Sequence, residues 1–282
     1  MNCPVCASSK TSEWKKDGPY NFLRCDNCGL IFISKIGYPE NPEEQYKSDA
    51  TSFSEYHLIT APNDRKNFIK TLKELERYQK PKTILDVGAN VGTFLLAAKE
   101  RGWRGIGIEP TPKAVSIARK DGGEIIEGFF DENFPEKLSK AYPGIEIDAV
   151  HMGDVIEHLF DPLVLLRTAK RVLSKNGYLV IVTPDIDSFL ARKYQIKPKE
   201  HLVYFNKKSL RLALERSGFE VLSIHGQARI RDIGNAAKGT VKLSTTELVI
   251  ASIARLPLIG KILNNSLRLF KDELFVLARV KN

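Results

Sequence analysis

The residues best placed to do chemistry fall into two groups. The first is a loop, ILDVGANVGTFL at residues 84–95, which carries Asp86, Gly88, Asn90 and Gly92 and is followed by GIGIEP ending in Pro110. Ile84, Leu85 and Val87 make the short apolar run of a buried parallel strand. Gly88 and Gly92 then let the backbone turn sharply and approach a ligand closely. Residues 94–101 read as the helix that follows, stopped by Gly102. Glu109 ends the next apolar strand, at 105–108, and lies 23 residues after Asp86, where a ribose-binding carboxylate belongs in a Rossmann-type unit. A dinucleotide site would need G-x-G-x-x-G to hold a pyrophosphate at the helix N-terminus, and this loop lacks that grip, so the spacing points to a nucleoside.

The second group is Cys3, Cys6, Cys25 and Cys28, all the cysteines of the chain, spaced C-x2-C, eighteen residues, C-x2-C. Each pair makes a tight knuckle, and four thiolates close a tetrahedral site, the pattern of a structural zinc ribbon. A disulfide framework is the alternative. No apolar signal segment follows Met1, and free-standing C-x2-C pairs in a chain of cytoplasmic character favour metal. Residues 29–33 read as a strand of this module, which at roughly 35 residues is too small to fold on apolar burial alone.

An aspartate two residues before the first glycine, with the second glycine four residues further on, resembles the first motif of class I S-adenosylmethionine-dependent methyltransferases. Asn90 stands where the middle glycine is usual, and asparagine accepts unusual backbone angles more readily than most residues. The resemblance covers residues 60–282 and is most specific over 82–222. Residues 148–155 (DAVHMGDV) read as the fourth strand and its end. Ile156, Glu157, His158 and Leu159 resemble the EHL signature that follows this strand in many small-molecule methyltransferases. Asp161 and Pro162 then begin a helix as N-cap and first residue, running to about Ser174 and leading to a fifth strand at 178–183. A helix at 209–217 passes through Gly218 into a sixth strand at 219–224, and 272–280 would be the antiparallel seventh. Strand–helix alternation alone argues for an open parallel sheet. The resemblance implies a Rossmann-like α/β fold with a seven-stranded, mostly parallel sheet, an antiparallel last strand and the small N-terminal zinc ribbon.

The same resemblance implies S-adenosylmethionine as cofactor. It places Asp86, Gly88, Asn90 and Gly92 along the methionine part and backbone of the donor, Glu109 with Pro110 at the ribose, and Gly153, Asp154 and Val155 beside the sulfonium. Phe129 occupies the place after the third strand where many relatives contact adenine with an acidic residue, so Phe129 or Phe130 is expected to stack on or flank the ring instead. For a base the candidates are His158, directly after the donor site, and His201 in EHLVYF, ahead of His151 in an apolar strand and His57 in the linker. The (N or D)PP(Y, F or W) motif of amino-group methylation is absent after the fourth strand, where the chain reads GDVI, so O- or C-methylation of a small acceptor is expected. With all four cysteines on zinc, none is left for addition to a pyrimidine ring.

Residues 1–36 read as the zinc ribbon, 37–63 as a polar, proline-bearing linker, and 64–282 as the methyltransferase domain. A helix is expected at 64–79 and an insertion at 227–271 between the last two strands. The insertion is rich in apolar residues interrupted by charges, the pattern of a lid, an interfacial element or ordinary packing. Tyr46 and Tyr56 would pack the ribbon on the larger domain or cap the nucleoside pocket. At 282 residues and 43% hydrophobic, the chain can bury one large core beside a small module. No run of eighteen apolar residues exists, so no transmembrane helix is expected and the setting is read as cytoplasmic.

The net charge of +9 is uneven: residues 191–282 carry 18 Lys and Arg against 7 Asp and Glu. A cationic last third suggests an anionic acceptor, such as a nucleotide sugar, a lipid phosphate, RNA or a membrane surface, with a solvated basic face as the alternative. Three functions remain. The first is a small-molecule methyltransferase of the zinc-ribbon group found with sugar and surface-polysaccharide enzymes, where CPVC, CDNCGL and EHL features occur together; the extra C-terminal domain of that group's sugar C-methyltransferases is not seen here. The second is an rRNA methyltransferase with a zinc module, which should carry a basic ribbon and often a histidine ligand, neither of which holds. The third is a donor-binding, non-catalytic interaction module.

Overall fold

The computed structural model describes residues 1–38, 50–230 and 271–281. The large sheet is built from β4 (Thr83–Val87), β5 (Arg104–Glu109), β6 (Glu124–Glu127), β7 (Ile147–Gly153), β8 (Leu173–Pro184), β10 (Phe219–Gln227) and β11 (Glu273–Val280), in the order β10-β11-β8-β7-β4-β5-β6. β4 to β8 pair in parallel, while β11 lies antiparallel between β8 and β10. The seven-stranded, mostly parallel sheet with its antiparallel last strand is therefore as expected. Its central strands are apolar almost without interruption because both faces are covered, and Ile147, Ala149, Val150 and Met152 of β7 are all essentially inaccessible.

The chain begins the sheet at β4, adds β5 and β6 on one side, then returns to place β7 on the other. That reversal makes a switch point, where ligands bind at the carboxyl ends of strands. Five helices on the faces of this sheet are α2 (Thr93–Glu100), α3 (Pro112–Lys120), α4 (Phe134–Ala141), α5 (Pro162–Val172) and, further on, α7 (Lys207–Arg216); a short α6 (Phe189–Tyr194) follows β8. The start of α5 is the one its sequence announces: the Asp161 carboxylate accepts from the Leu163 and Val164 N–H groups, and Pro162 takes the first position. Its end comes earlier than about Ser174, because Leu173 is drawn into β8 opposite Ile147.

The helix expected at 64–79 is longer and displaced. α1 runs Ala50–Leu75, with Pro62 inside it. Among residues 54–64 only the polar Ser54 and Asp64 are buried, so there was no apolar stripe to reveal it. Tyr56 and His57 accordingly lie on this helix rather than on a linker. Tyr46 falls outside the described residues, as do residues 231–270 of the insertion expected at 227–271.

A second sheet joins β1 (Thr11–Asp17), β2 (Tyr20–Cys25) and β3 (Ile31–Ile33) of the N-terminal module to β9 (Val203–Tyr204), which comes from the segment between α6 and α7. Ile31 pairs with Tyr204 and Phe32 with Val203. Cys3, Val5, Cys25, Leu30 and Phe32 share one hydrophobic cluster with Val203, Phe205 and Leu210. The core that a module of this size cannot supply is thus completed by the larger domain.

Candidate active site

At the switch point the loop after β4 meets the loop after β7. Gly88 has φ +73°, and a Cβ there would lie 2.9 Å from Val155 Cγ2, so only glycine fits. Asn90 takes φ +47°, the unusual angle its side chain was expected to tolerate, and its Oδ1 accepts from the Val91 N–H at 2.8 Å. The Asn90 N–H donates to Glu109 Oε2 at 3.0 Å, and the Thr111 N–H donates to Glu109 Oε1 at 2.9 Å. Glu109 is 5% exposed. Burial pushes its carboxyl above the usual range, opposed by the donors from Thr111 and Asn90. The Thr111 hydroxyl bonds the same carboxylate, which leaves at least one lone pair at the tip of β5 for a further donor such as a ribose hydroxyl. Pro110 and Phe129 follow β5 and β6 and are half-buried. Gly92 has φ +82°, and a Cβ there would lie 3.0 Å from Ala118 Cβ of α3, so its lack of a side chain serves helix packing.

Asp86 is tied elsewhere. It is 4% exposed, with Oδ1 2.7 Å from Nδ1 of His151, which stacks on Phe94 at 3.9 Å between ring centres. The two face each other in the register of β4 and β7, and the spacing along the chain gave no sign of it. His151 Nε2 has no partner among the described residues. His151, Gly153, Asp154 and Arg229 help line a cavity of about 20 Å³, room for one water.

Beyond Gly153 the chain tightens. Asp154 has φ +54°, and after Val155 comes a single 3-10 turn, Ile156–His158. Arg229, after β10, pairs with Asp154, with Asp64 at 3.0 Å and with Glu273 at 3.4 Å. Burial would raise the Asp154 carboxyl, but the Arg229 guanidinium overrides it and holds it at about 2. The sequence did not reveal Arg229, whose partners come from three distant segments. Glu157 is 2% exposed; its Oε2 accepts from the Thr183 hydroxyl at 2.9 Å, and its carbonyl accepts from the Leu202 N–H at 2.7 Å. That last bond brings in His201, 4% exposed, whose Nδ1 lies 3.0 Å from the Gln195 carbonyl. The His158 and His201 rings meet edge to face, 4.9 Å between centres. The two expected bases are therefore neighbours. Burial lowers the basicity of both imidazoles; for His201 the charges of His158 and Lys197 add to it, whereas Glu200 and Asp154 oppose it at His158. Burial, then the Asp154 charge, pushes Glu157 well above the usual carboxyl range. His57, on α1, is lowered by burial, with Asp64 opposing.

At the other end of β9, the four cysteine sulfurs lie within 4.8 Å of one another, with Cys3 and Cys28 Sγ at 3.6 Å and Cys6 and Cys25 Sγ at 3.4 Å. No cysteine is in a disulfide. Thiolates on a tetrahedral zinc, with bonds of about 2.3 Å, stand about 3.8 Å apart, so the donor set fits such an ion.

The Rossmann-like sheet, with a glycine loop and a buried carboxylate on adjacent strand tips, has the fold of S-adenosylmethionine-dependent methyltransferases. The chain belongs to the family described as "Methyltransferase domain", which matches residues 62–224. Among similar proteins, the C-methyltransferase NovU of Streptomyces niveus is 22% identical over 211 residues, 73% of this chain and 48% of NovU. The chain spans about half the length of the curated relatives it matches. A S-adenosylmethionine-dependent methyltransferase from Archaeoglobus fulgidus superimposes with a TM-score of 0.54 at 20% identity, over 79% of this chain and 99% of that one. The plantazolicin methyltransferase BpumL, solved with S-adenosylhomocysteine, gives 0.55 at 17% identity over 86% and 94%. At these identities the structural likeness is one of fold.

Proposed function

We propose that the protein methylates an oxygen or carbon of a small, anionic acceptor, and that His158 and His201 receive the acceptor and its proton. The observation that carries this reading is the meeting of two imidazoles, His201 buried and His158 half-buried, beside Gly153–Val155 at the switch point next to the glycine loop. The cofactor supplies a methyl group on a sulfonium, so the protein's work is to align the acceptor and keep water out. Gly88, Asn90 and Gly92 shape the loop for the donor's methionine part, with Asp86 holding that loop's strand to β7. Glu109 and Pro110 take the ribose, Phe129 flanks adenine, and Gly153, Asp154 and Val155 stand by the reacting carbon. His201 donates its Nδ1 proton to the Gln195 carbonyl, which leaves the Nε2 lone pair to accept a proton from the acceptor. Burial keeps both imidazoles neutral and ready as bases near pH 7.

NovU is named a C-methyltransferase, and a carbon acceptor is the one that most needs a base. Lys193, Lys197, Lys199 and Lys207 flank the His201 segment, in keeping with an anionic acceptor. Cys3, Cys6, Cys25 and Cys28 of a ribbon at 1–36 hold zinc, and a reducing, cytoplasmic compartment fits four unpaired thiols.

The test is incubation with methyl-labelled S-adenosylmethionine and fractionated cell extract. Label in the small-molecule or lipid-precursor fraction is expected. Label in RNA, with binding that weakens steeply with salt, would replace this reading with the nucleic-acid one. His201→Gln is expected to lower kcat at least about 100-fold while leaving S-adenosylhomocysteine affinity unchanged by calorimetry; an unchanged kcat would remove His201 from the reaction.

A further inference from the structure

The described residues hold two groups of three or more side chains that could ligate a metal: the four cysteines, and Glu157, His158 and His201. In the second group, one ligand atom from each residue lies within 4.8 Å of the other two. Glu157 Oε1 and His158 Nδ1 are buried and have no hydrogen-bond partner among the described residues. An unmet polar atom in the interior is costly, so two of them on consecutive residues call for a partner from outside the chain. The remaining bonds are those that ligands carry. The Gln195 carbonyl accepts from His201 Nδ1, turning the Nε2 lone pair outward from that bond, and the Thr183 hydroxyl donates to Glu157 Oε2. Such outer partners fix tautomer and orientation in metal sites.

We propose that Glu157, His158 and His201 bind a divalent transition-metal ion on the acceptor side of the site, separate from the ion of the four cysteines. Two imidazoles and one carboxylate suit zinc, iron(II), cobalt(II) or manganese(II), whereas magnesium and calcium prefer oxygen alone. With bonds of about 2.1 Å, ligand atoms stand roughly 3.0–3.4 Å apart, so the three side chains need to close by less than about 2 Å. Asp154 stays out of the set because Arg229 already engages it. Three protein ligands leave positions open, and these fit an acceptor that presents two neighbouring oxygens.

An ion and a proton compete for the same imidazole lone pairs. Loading therefore takes His158 and His201 out of the base role and leaves polarisation of a bound acceptor oxygen to the ion. Only this consequence rests on the proposed function; the site itself does not.

The test uses the full chain, stripped of metal and reloaded with cobalt(II). Two ions per chain are expected. One should show the intense thiolate-to-cobalt absorption of the cysteine site, the other only the weak bands of nitrogen and oxygen ligation. His201→Gln and Glu157→Gln should each lose the second ion while keeping the thiolate absorption and S-adenosylhomocysteine binding, which report an intact fold. A single ion in the unaltered protein, or a second ion that survives both substitutions, overturns the proposal. The metal count reads the same whether or not any acceptor is methylated, so its failure is distinct from failure of the proposed reaction.

Discussion

Glu109 accepts one backbone N–H on each carboxylate oxygen, from Asn90 and from Thr111, and in doing so fixes the loop after β4 and the turn after β5 in one geometry. On the proposed function the same carboxylate accepts from the ribose hydroxyls. Replacing it with glutamine keeps the shape but removes one acceptor and the charge. Hydrogen bonds to charged groups contribute about 1.5–3 kcal/mol, so Glu109→Gln should weaken S-adenosylhomocysteine about 10- to 100-fold by calorimetry. Affinity within a factor of two of the unaltered protein would place the ribose elsewhere. The left-handed angles of Asn90 and Asp154 belong to the same economy of residues: asparagine and aspartate reach them at less cost than most side chains. Asn90 could be anticipated because its place in the motif is a glycine's. Asp154 could not, since nothing in GDVI distinguishes a strand end from a strained turn.

Between elements, the ribbon is fastened by groups its own sequence does not reveal. The Ile33 N–H donates to the Leu202 carbonyl, and the Leu202 N–H to the Glu157 carbonyl, so β3, the His201 segment and the turn holding His158 form one hydrogen-bonded series. Gly29 sits in the second cysteine knuckle at φ +77°, and a Cβ there would lie 2.6 Å from Asn206 Nδ2. Asn206 caps α7, its Oδ1 accepting from the Ser209 N–H at 2.8 Å and its own N–H donating to Ser209 Oγ at 3.0 Å. Gly29→Ala should therefore cost more than the roughly 1 kcal/mol of an unfavourable backbone angle, because it also displaces a cap worth about 1 kcal/mol. In an Asn206→Ala background the same substitution should cost less, since the clash and the cap are already gone. Additive losses in urea unfolding would show that the two do not touch. The sheet strands, the α5 cap and the cysteine knuckles were legible because local rules dictate them: apolar runs, an Asp-Pro start, fixed ligand spacing. β9, the front half of α1, and the pairings of Asp86 with His151 and of Arg229 with its acids were not. Two residues of strand carry no periodicity, a helix with a polar inner face carries no apolar stripe, and long-range side-chain pairs leave no spacing to read.

For the whole molecule, the decisive feature is that ribbon and larger domain share a core. Beyond the mixed sheet and the common hydrophobic cluster, Tyr38 donates to the Pro198 carbonyl at 2.9 Å, Arg216 donates to the Val5 carbonyl at 2.8 Å, and Lys208 donates to the Asn27 carbonyl. An appended module with its own small core would unfold before its neighbour, because few contacts would cross the boundary. Here the contacts that complete the ribbon are the ones that hold the His201 segment, so neither can be released alone. The two tryptophans report on this separately: Trp14 packs on Phe22 within the ribbon, while Trp103 is buried in the larger domain beside α2. Single-tryptophan variants, Trp103→Phe and Trp14→Phe, should therefore show coincident thermal transitions by fluorescence. Stripping metal from the cysteines should lower both midpoints together. If the ion contributes about 4 kcal/mol, at about 2–4 °C per kcal/mol for a chain of this size, the common shift is about 10 °C. A Trp14 transition that precedes Trp103, or a metal-free protein in which only Trp14 moves, would mean that the ribbon folds by itself and that its ion has no hold on the acceptor side of the site.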